Sequence, residues 1–220
     1  MTTRFEDLGL DDLLVSNLGA LGFETPTPIQ VRAIPPMLEG RDVLGKAGTG
    51  TGKTAAFGLP ILSNIKRGGG TQALILAPTR ELAMQVGRAL DELRGKKQVR
   101  VLTVYGGAPF GPQLQGLRQG VEVVVGTPGR TLDHIERGTL NLDNLKVFVL
   151  DEADEMLDMG FQDELEAILA AAPKERQTAL FSATFPPRLA KVIGDSLNNP
   201  VRVEVGIEER EGEITEKVYV

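Results

Sequence analysis

Short runs of β-branched and aliphatic residues recur along the chain, separated by longer stretches of helical period. The runs are Asp42–Lys46, Gln72–Ala77, Val99–Val104, Val121–Val125, Leu145–Leu150 and Gln177–Phe181. Gly, Pro, Ser or Thr follows most of these runs within two residues, and then a helical pattern such as Arg80–Arg94, with Leu82, Val86, Leu90 and Leu93 on one face. Val147-Phe148-Val149-Leu150 shows no polar alternation, the signature of a strand buried on both faces. Strands alternating with helices predict an α/β fold, a mostly parallel twisted sheet with helices on both faces. In such a sheet, ligands gather at the carboxyl ends of the strands.

The pattern also divides the chain. Residues 1–40 read as a mostly helical extension ending in Pro35-Pro36 and Glu39-Gly40, and residues 41–206 as the α/β domain, with Gly68-Gly69-Gly70 as a loop. The stretch after Asn199-Pro200 differs in kind. Glu208, Glu209, Glu211, Glu213 and Glu216 crowd it, so residues 207–220 are expected to form an acidic linker, leading towards a strand at Val218-Tyr219-Val220. No internal repeat is visible.

Composition changes this picture in three places. The 220 residues lack cysteine, which excludes a disulfide framework, a thiol nucleophile and a cysteine-ligated zinc site. The formal net charge of −6 disfavours generic nucleic-acid binding, so any nucleic-acid contact must be local, built from a few placed groups. No stretch approaches the roughly 20 apolar residues of a membrane span. Met1–Asp7 lacks the apolar core of a signal peptide, so a cytoplasmic protein is expected.

Candidate chemistry begins where the run Asp42–Lys46 meets Ala47-Gly48-Thr49-Gly50-Thr51-Gly52-Lys53-Thr54. This is a P-loop with Ala47 in the first Gly position. Small residues let successive backbone N–H groups converge on phosphate oxygens, and the following helix start favours negative charge. Lys53 would reach the β- and γ-phosphates and Thr54 would ligate magnesium. The bland alternative is a Gly-rich turn capping a helix. After the most apolar run comes Asp151-Glu152-Ala153-Asp154, on a strand able to neighbour the P-loop strand. Asp151 would hold the magnesium, and Glu152 would orient or deprotonate the attacking water. The competing reading is plain acidic capping of a helix start.

Together these two motifs resemble the DEAD-box RNA helicases, in which Ala is common at the position of Ala47. Five more stretches match in the family's order: Gly22-Phe23-Glu24-Thr25-Pro26-Thr27-Pro28-Ile29-Gln30, Pro78-Thr79-Arg80-Glu81-Leu82-Ala83, Gly106-Gly107, Thr127-Pro128-Gly129-Arg130 and Ser182-Ala183-Thr184. The resemblance covers the chain to about residue 205 and implies a RecA-like P-loop NTPase domain using ATP and Mg2+. It implies that Gln30, in an adenine-reading Q motif, selects ATP over GTP, that Phe5 stacks on the base, and that the Thr25 backbone adds a contact. Phe5 could instead anchor the first helix. Pro78, Thr79, Arg80, Gly106, Gly107, Thr127, Pro128, Gly129 and Arg130 would meet RNA backbone, which carries little sequence information. For Arg80 and Arg130 the alternative is an ion pair with Glu81 or Asp133. Ser182 and Thr184 would hydrogen-bond Asp154 and couple nucleotide state to RNA binding, or else cap the helix that follows Pro186-Pro187.

The family also carries a second RecA-like domain, whose arginines complete the ATP site, and nothing in these residues matches it. The chain alone is therefore expected to bind nucleotide with little turnover, while the whole protein would unwind RNA. The rivals are a DNA-directed helicase on the same core, an ATP-gated RNA clamp and a P-loop kinase. The lone His134 reads as a surface residue beside Glu136 and Arg137, and Arg94, Lys96, Lys97 and Arg100 as solvated positive charge.

Overall fold

The computed structural model describes residues 3–48 and 50–205. Thr49 of the P-loop and the linker expected over 207–220 lie outside the described residues. The N-terminal extension is helical as expected: a 3-10 turn at Phe5–Leu8, then α1 (Asp12–Ala20) and α2 (Pro28–Leu38), which runs through Pro35 and Pro36. The domain proper alternates β1 (Val43–Lys46), α3 (Lys53–Asn64), β2 (Ala73–Leu76), α4 (Arg80–Arg94), β3 (Val101–Val104), α5 (Phe110–Arg118), β4 (Val123–Gly126) and α6 (Pro128–Glu136). It continues with β5 (Val147–Asp151), α7 (Ala153–Asp158), α8 (Gln162–Ala171), β6 (Gln177–Ser182), α9 (Pro187–Ile193) and β7 (Val201–Glu204).

Among the described residues the strands form one parallel sheet in the order β3-β4-β2-β5-β6-β1-β7. One expectation is corrected here. β5 neighbours β2 and β6, and β6 stands between β5 and the P-loop strand β1. One strand lies outside the predicted runs: Val201–Glu204, within the expected domain, pairs with β1 as the sheet's edge. Its alternation of Val201 and Val203 with Arg202 and Glu204 is the period of a strand with one wetter face, a signal overshadowed by the glutamates that follow.

Alternate residues of each strand feed two cores. Val147 and Val149 pack with Phe57, Leu90 and the helices of the N-terminal half, while Phe148 and Leu150 pack with Met156, Leu165 and Ile168. This two-sided burial is why the runs lack polar alternation. At the P-loop strand the packing leaves no room for a side chain at Gly45, where a Cβ would come within 2.5 Å of the Phe181 ring on β6. The carboxyl ends of β1 to β6 thus open along one rim, and the quoted motifs other than Gly22–Gln30, which leads into α2, begin there.

Candidate functional site

The loop after β1 is wired to the N-terminal extension. Thr27 Oγ1 donates to Thr51 O (2.8 Å), and Gln30 Nε2 donates to Gly52 O (3.1 Å), while Gln30 Oε1 accepts from Thr27 N (2.9 Å). Thr51 Oγ1 closes the loop on Gly48 O (2.8 Å), and Ala47 N donates to Ser182 O on β6 (3.2 Å). Gly52 turns at φ +89°, and a Cβ there would fall within 2.5 Å of Gln30 Nε2. Only glycine meets both demands.

Lys53 and Thr54 are the first residues of α3, where helix N–H groups lack intrahelical partners. The Lys53 ammonium is buried. It donates to Glu152 Oε1 at 2.6 Å and lies 3.8 Å from Asp151 Oδ1. The P-loop and the acidic pair therefore meet although β6 separates their strands, because the lysine side chain spans the gap. Asp151 is 2% exposed, and its Oδ1 is buried without a hydrogen-bond partner. Burial pushes its carboxyl up to about 6, against the pull of Lys53 and with the help of Glu152's charge. Glu152 sits in the left-handed region (φ 53°, ψ 52°), a strained conformation that non-glycine residues keep mostly at functional sites. A buried carboxylate oxygen that faces only the Lys53 ammonium, at 3.8 Å, and accepts no hydrogen bond is a donor suited to a hard cation such as Mg2+.

Asp154 joins β5's end to β6's. Its Oδ2 accepts from Thr184 N (2.9 Å) and Thr184 Oγ1 (2.7 Å), and its own N donates to Ser182 Oγ (3.2 Å). Burial raises the Asp154 carboxyl, but interactions with Ser182 and Thr184 outweigh that and hold it below the ordinary range. Neither hydroxyl caps α9, whose N-cap is Pro186 without a side-chain bond.

Of the base-side residues, Gln30 is buried against the P-loop, and Thr25 lines a cavity of about 230 Å³ with Thr3, Pro26, Pro28, Val31 and Arg32. Phe5 is 3% exposed and meets Phe23 edge-on at 6.4 Å, so its ring anchors the extension and presents no open face for stacking. A larger cavity of about 620 Å³ between α9 and β7 borders this site only through Lys46 and Thr184.

The RNA-facing candidates line the other half of the rim. Thr79 caps α4 by accepting from Leu82 N (3.2 Å), which leaves Arg80 exposed at the helix start. Arg80 lies over the Tyr105 ring (5.4 Å) with no ion pair to Glu81. Gly106 and Gly107 are exposed. Pro128, Gly129 and Arg130 begin α6, and Arg130 donates from both terminal nitrogens to Ala108 O (3.2 Å each), while Asp133 pairs with Arg137.

His134 is a correction: it is fully buried, not on the surface. Its ring stacks on Phe110 at 4.3 Å because α5 covers that face of α6. Of the cations read as solvated, Lys96 and Arg100 are exposed, Arg100 beside Glu122, and Arg94 bonds Asp91, whereas Lys97 is held in place by Asp11 Oδ2 (3.0 Å). Sequence reasoning passed over Tyr105, Phe110 and Gln113. An aromatic residue directly before Gly106-Gly107 was the available signal for Tyr105.

Comparison with known proteins agrees with this geometry. Residues 27–192 match the DEAD/DEAH box helicase family. The chain is 49% identical over 219 residues to the ATP-dependent RNA helicase CshA of Listeria monocytogenes, covering 99% of this chain and 42% of that protein. It is 51% identical over 205 residues to the ATP-dependent RNA helicase DeaD of Haemophilus influenzae, covering 92% of this chain and 33% of that protein. The crystal structure of a DEAD box protein from the hyperthermophile Methanococcus jannaschii superposes with a TM-score of 0.90 at 42% identity, covering 93% of this chain and 56% of that one. The chain thus spans less than half the length of these two helicases. No helix among the described residues is long and apolar enough to cross a membrane. A P-loop lysine buried against an Asp-Glu pair, on a sheet matched across nearly its whole length, makes this chain a member of the DEAD/DEAH box helicase family.

Proposed function

We propose that this chain is the first RecA-like half of an ATP-dependent RNA helicase that binds ATP with Mg2+ and grips RNA backbone. The observation that carries this reading is the buried Lys53–Glu152 pair beside the orphaned Asp151 oxygen. A lysine held by a carboxylate can exchange that partner for phosphate oxygens, and the exchange frees Glu152 to take a proton from attacking water. The water oxygen then bonds the γ-phosphorus as the bond to ADP breaks. Asp151 and Thr54 would hold the magnesium, which when bound neutralises charge on the phosphate oxygens.

Base selection follows from the Gln30 amide. A glutamine amide offers two N–H donors and two acceptor sites. One donor is spent on Gly52 O and one acceptor site on Thr27 N. One of each remains, the complement of an adenine edge. Phe5 would stack on the base only after turning out of its packing. Ser182, Thr184 and Asp154, already joined, would relay nucleotide state towards the RNA face. Domains 1–40, 41–206 and 207–220 serve respectively as adenine-reading extension, ATP-binding unit and link to a second RecA-like domain. Closure of both domains on ATP and RNA would bend one strand and separate a short duplex, in the cytoplasm where such substrates lie.

Thermal-shift titration of the purified chain with ATP, ADP, AMP and GTP tests the site. The expected result is stabilisation by ATP and ADP, loss of it in Lys53→Ala, and loss of the ATP preference over GTP in Gln30→Ala. Full ATP affinity in Lys53→Ala would refute the phosphate assignment. Turnover by the chain alone should be very low, because arginines from a second domain are worth about 10³–10⁵ in rate in this chemistry. Robust RNA-stimulated hydrolysis by residues 1–220 would overturn that part.

A further inference from the structure

The proposed function leaves a buried histidine, a buried glutamine and two aromatic rings beneath the RNA-facing arginines without a role. Resting on the RNA reading above, we propose that His134, acting through Gln113, is a positioning residue. It holds the β3–α5 loop in the shape that aims Arg80 and Arg130 at RNA phosphates.

The wiring determines where the protons lie. Gln113 Nε2 donates to Tyr105 O (3.1 Å), and Gln113 Oε1 accepts from Tyr105 N (3.3 Å). Two backbone groups of one residue therefore fix the amide's orientation, since the flipped amide would set donor against donor and oxygen against oxygen. Gln113 Oε1 also faces His134 Nε2 at 3.4 Å, so that nitrogen carries the ring proton. Nδ1 then accepts from Thr139 Oγ1 at 2.9 Å. Thr139 Oγ1 lies 2.9 Å from both Nδ1 and His134 O and has one proton to give; with the Nε2 proton directed at Gln113, that hydroxyl proton serves Nδ1, and His134 O keeps Thr139 N (2.9 Å) and Leu140 N (3.0 Å) as donors. The neutral ring satisfies every partner. Burial first, and then the nearby Arg130 charge, keep it neutral by holding its pKa below the ordinary histidine range.

What this brace holds is the loop between Tyr105 and Phe110. Arg80 lies over the Tyr105 ring, Arg130 over the Phe110 ring at 5.7 Å, and Arg130 is pinned to Ala108 O between them. Gly106 and Gly107 separate the two rings, and a Cβ at either would meet nothing within 4 Å. Packing therefore does not dictate the loop's path at the glycines. Hydrogen bonds at its Tyr105 end and the His134 stack at its Phe110 end do.

The test is a double-mutant cycle read by fluorescence anisotropy of a labelled single-stranded oligoribonucleotide, using wild type, His134→Phe, Arg130→Ala and the double variant. His134→Phe keeps an aromatic ring against Phe110 but loses both ring hydrogen bonds. It should weaken RNA binding about as much as Arg130→Ala, about fivefold, and the double variant should add little. ATP affinity should stay within about twofold. Additive losses, or wild-type RNA affinity in His134→Phe, would overturn the proposal; if that variant fails to fold, Gln113→Leu enters the same cycle in its place. In RNA-free protein, the Tyr105 amide and Arg130 Nε–H resonances should shift in either variant, and unchanged resonances overturn the positioning role whatever RNA does. A wild type whose RNA affinity is insensitive to both Arg80→Ala and Arg130→Ala would instead sink the RNA reading itself.

Discussion

The two halves of the rim solve the problem of holding charge in opposite ways. On the proposed nucleotide side the charges are buried, paired and strained: Lys53 on Glu152 at short range, Asp151 3.8 Å from the same ammonium with an oxygen that accepts no hydrogen bond, Glu152 in a left-handed conformation. On the side proposed to face RNA the arginines keep solvent contact and lean on aromatic rings and one carbonyl. A buried charge is costly without its partner, whereas an exposed one is cheap to remove. The nucleotide side should therefore register mutations in stability, and the RNA side in affinity.

Glu152→Ala should have the largest effect, since it strips a buried ammonium of its hydrogen-bonded partner. Denaturant unfolding of the free chain should show a loss of roughly 3 kcal/mol. Nucleotide should recover more stability in this variant than in wild type, because the lysine no longer has a competing carboxylate. An unfolding curve unchanged by Glu152→Ala would break the contrast at its strongest point.

Gly52→Ala comes next. It forces a Cβ into the Gln30 amide at a positive φ, and a cost of about 2 kcal/mol is expected by the same measurement, with weaker ATP binding. A smaller and more diagnostic effect belongs to Asp151. Its carboxyl titrates at about 6 in the folded chain against 3.8 as the reference value, so between those values the folded state holds a proton that the unfolded chain has lost. Stability should therefore rise as pH falls from 8 to 5, by on the order of 1 kcal/mol, and Asp151→Asn should abolish the slope. Magnesium-dependent nucleotide affinity, which needs the ionised carboxylate, should fall over the same range.

The smallest stability effect is predicted on the other side. Arg80→Ala should move unfolding by no more than about 0.5 kcal/mol, yet weaken RNA binding severalfold and reduce the salt slope by about 1. A large stability loss there would erase the distinction between the two halves.

Local motifs were legible because each is a short contiguous stretch whose chemistry depends on its neighbours in sequence. The small residues before Lys53 and the carboxylates after Val147–Leu150 are of this kind. The Lys53–Glu152 contact lies one step beyond: the residue types suggested it, but the strand order decided how it forms, across β6 and not from an adjacent strand. His134 was misread because its neighbours Asp133, Glu136 and Arg137 are charged, while Phe110 and Gln113, which bury it, come from a helix more than 20 positions away. Phe5 was offered to a base, yet Phe23 and the core took it. β7 was hidden by the glutamates that follow it.

Hydrophobic period alone determined that strands and helices alternate and that the sheet is parallel and covered on both faces, and the small residues before Lys53 marked the turn that opens α3. These follow from interactions among residues a few positions apart. Only the tertiary structure decided which carboxylate holds Lys53, which ring covers which arginine and which polar groups lose their water. Burial and hydrogen-bond partnership depend on groups brought together from distant parts of the chain, and a free energy of desolvation exists only once they have met.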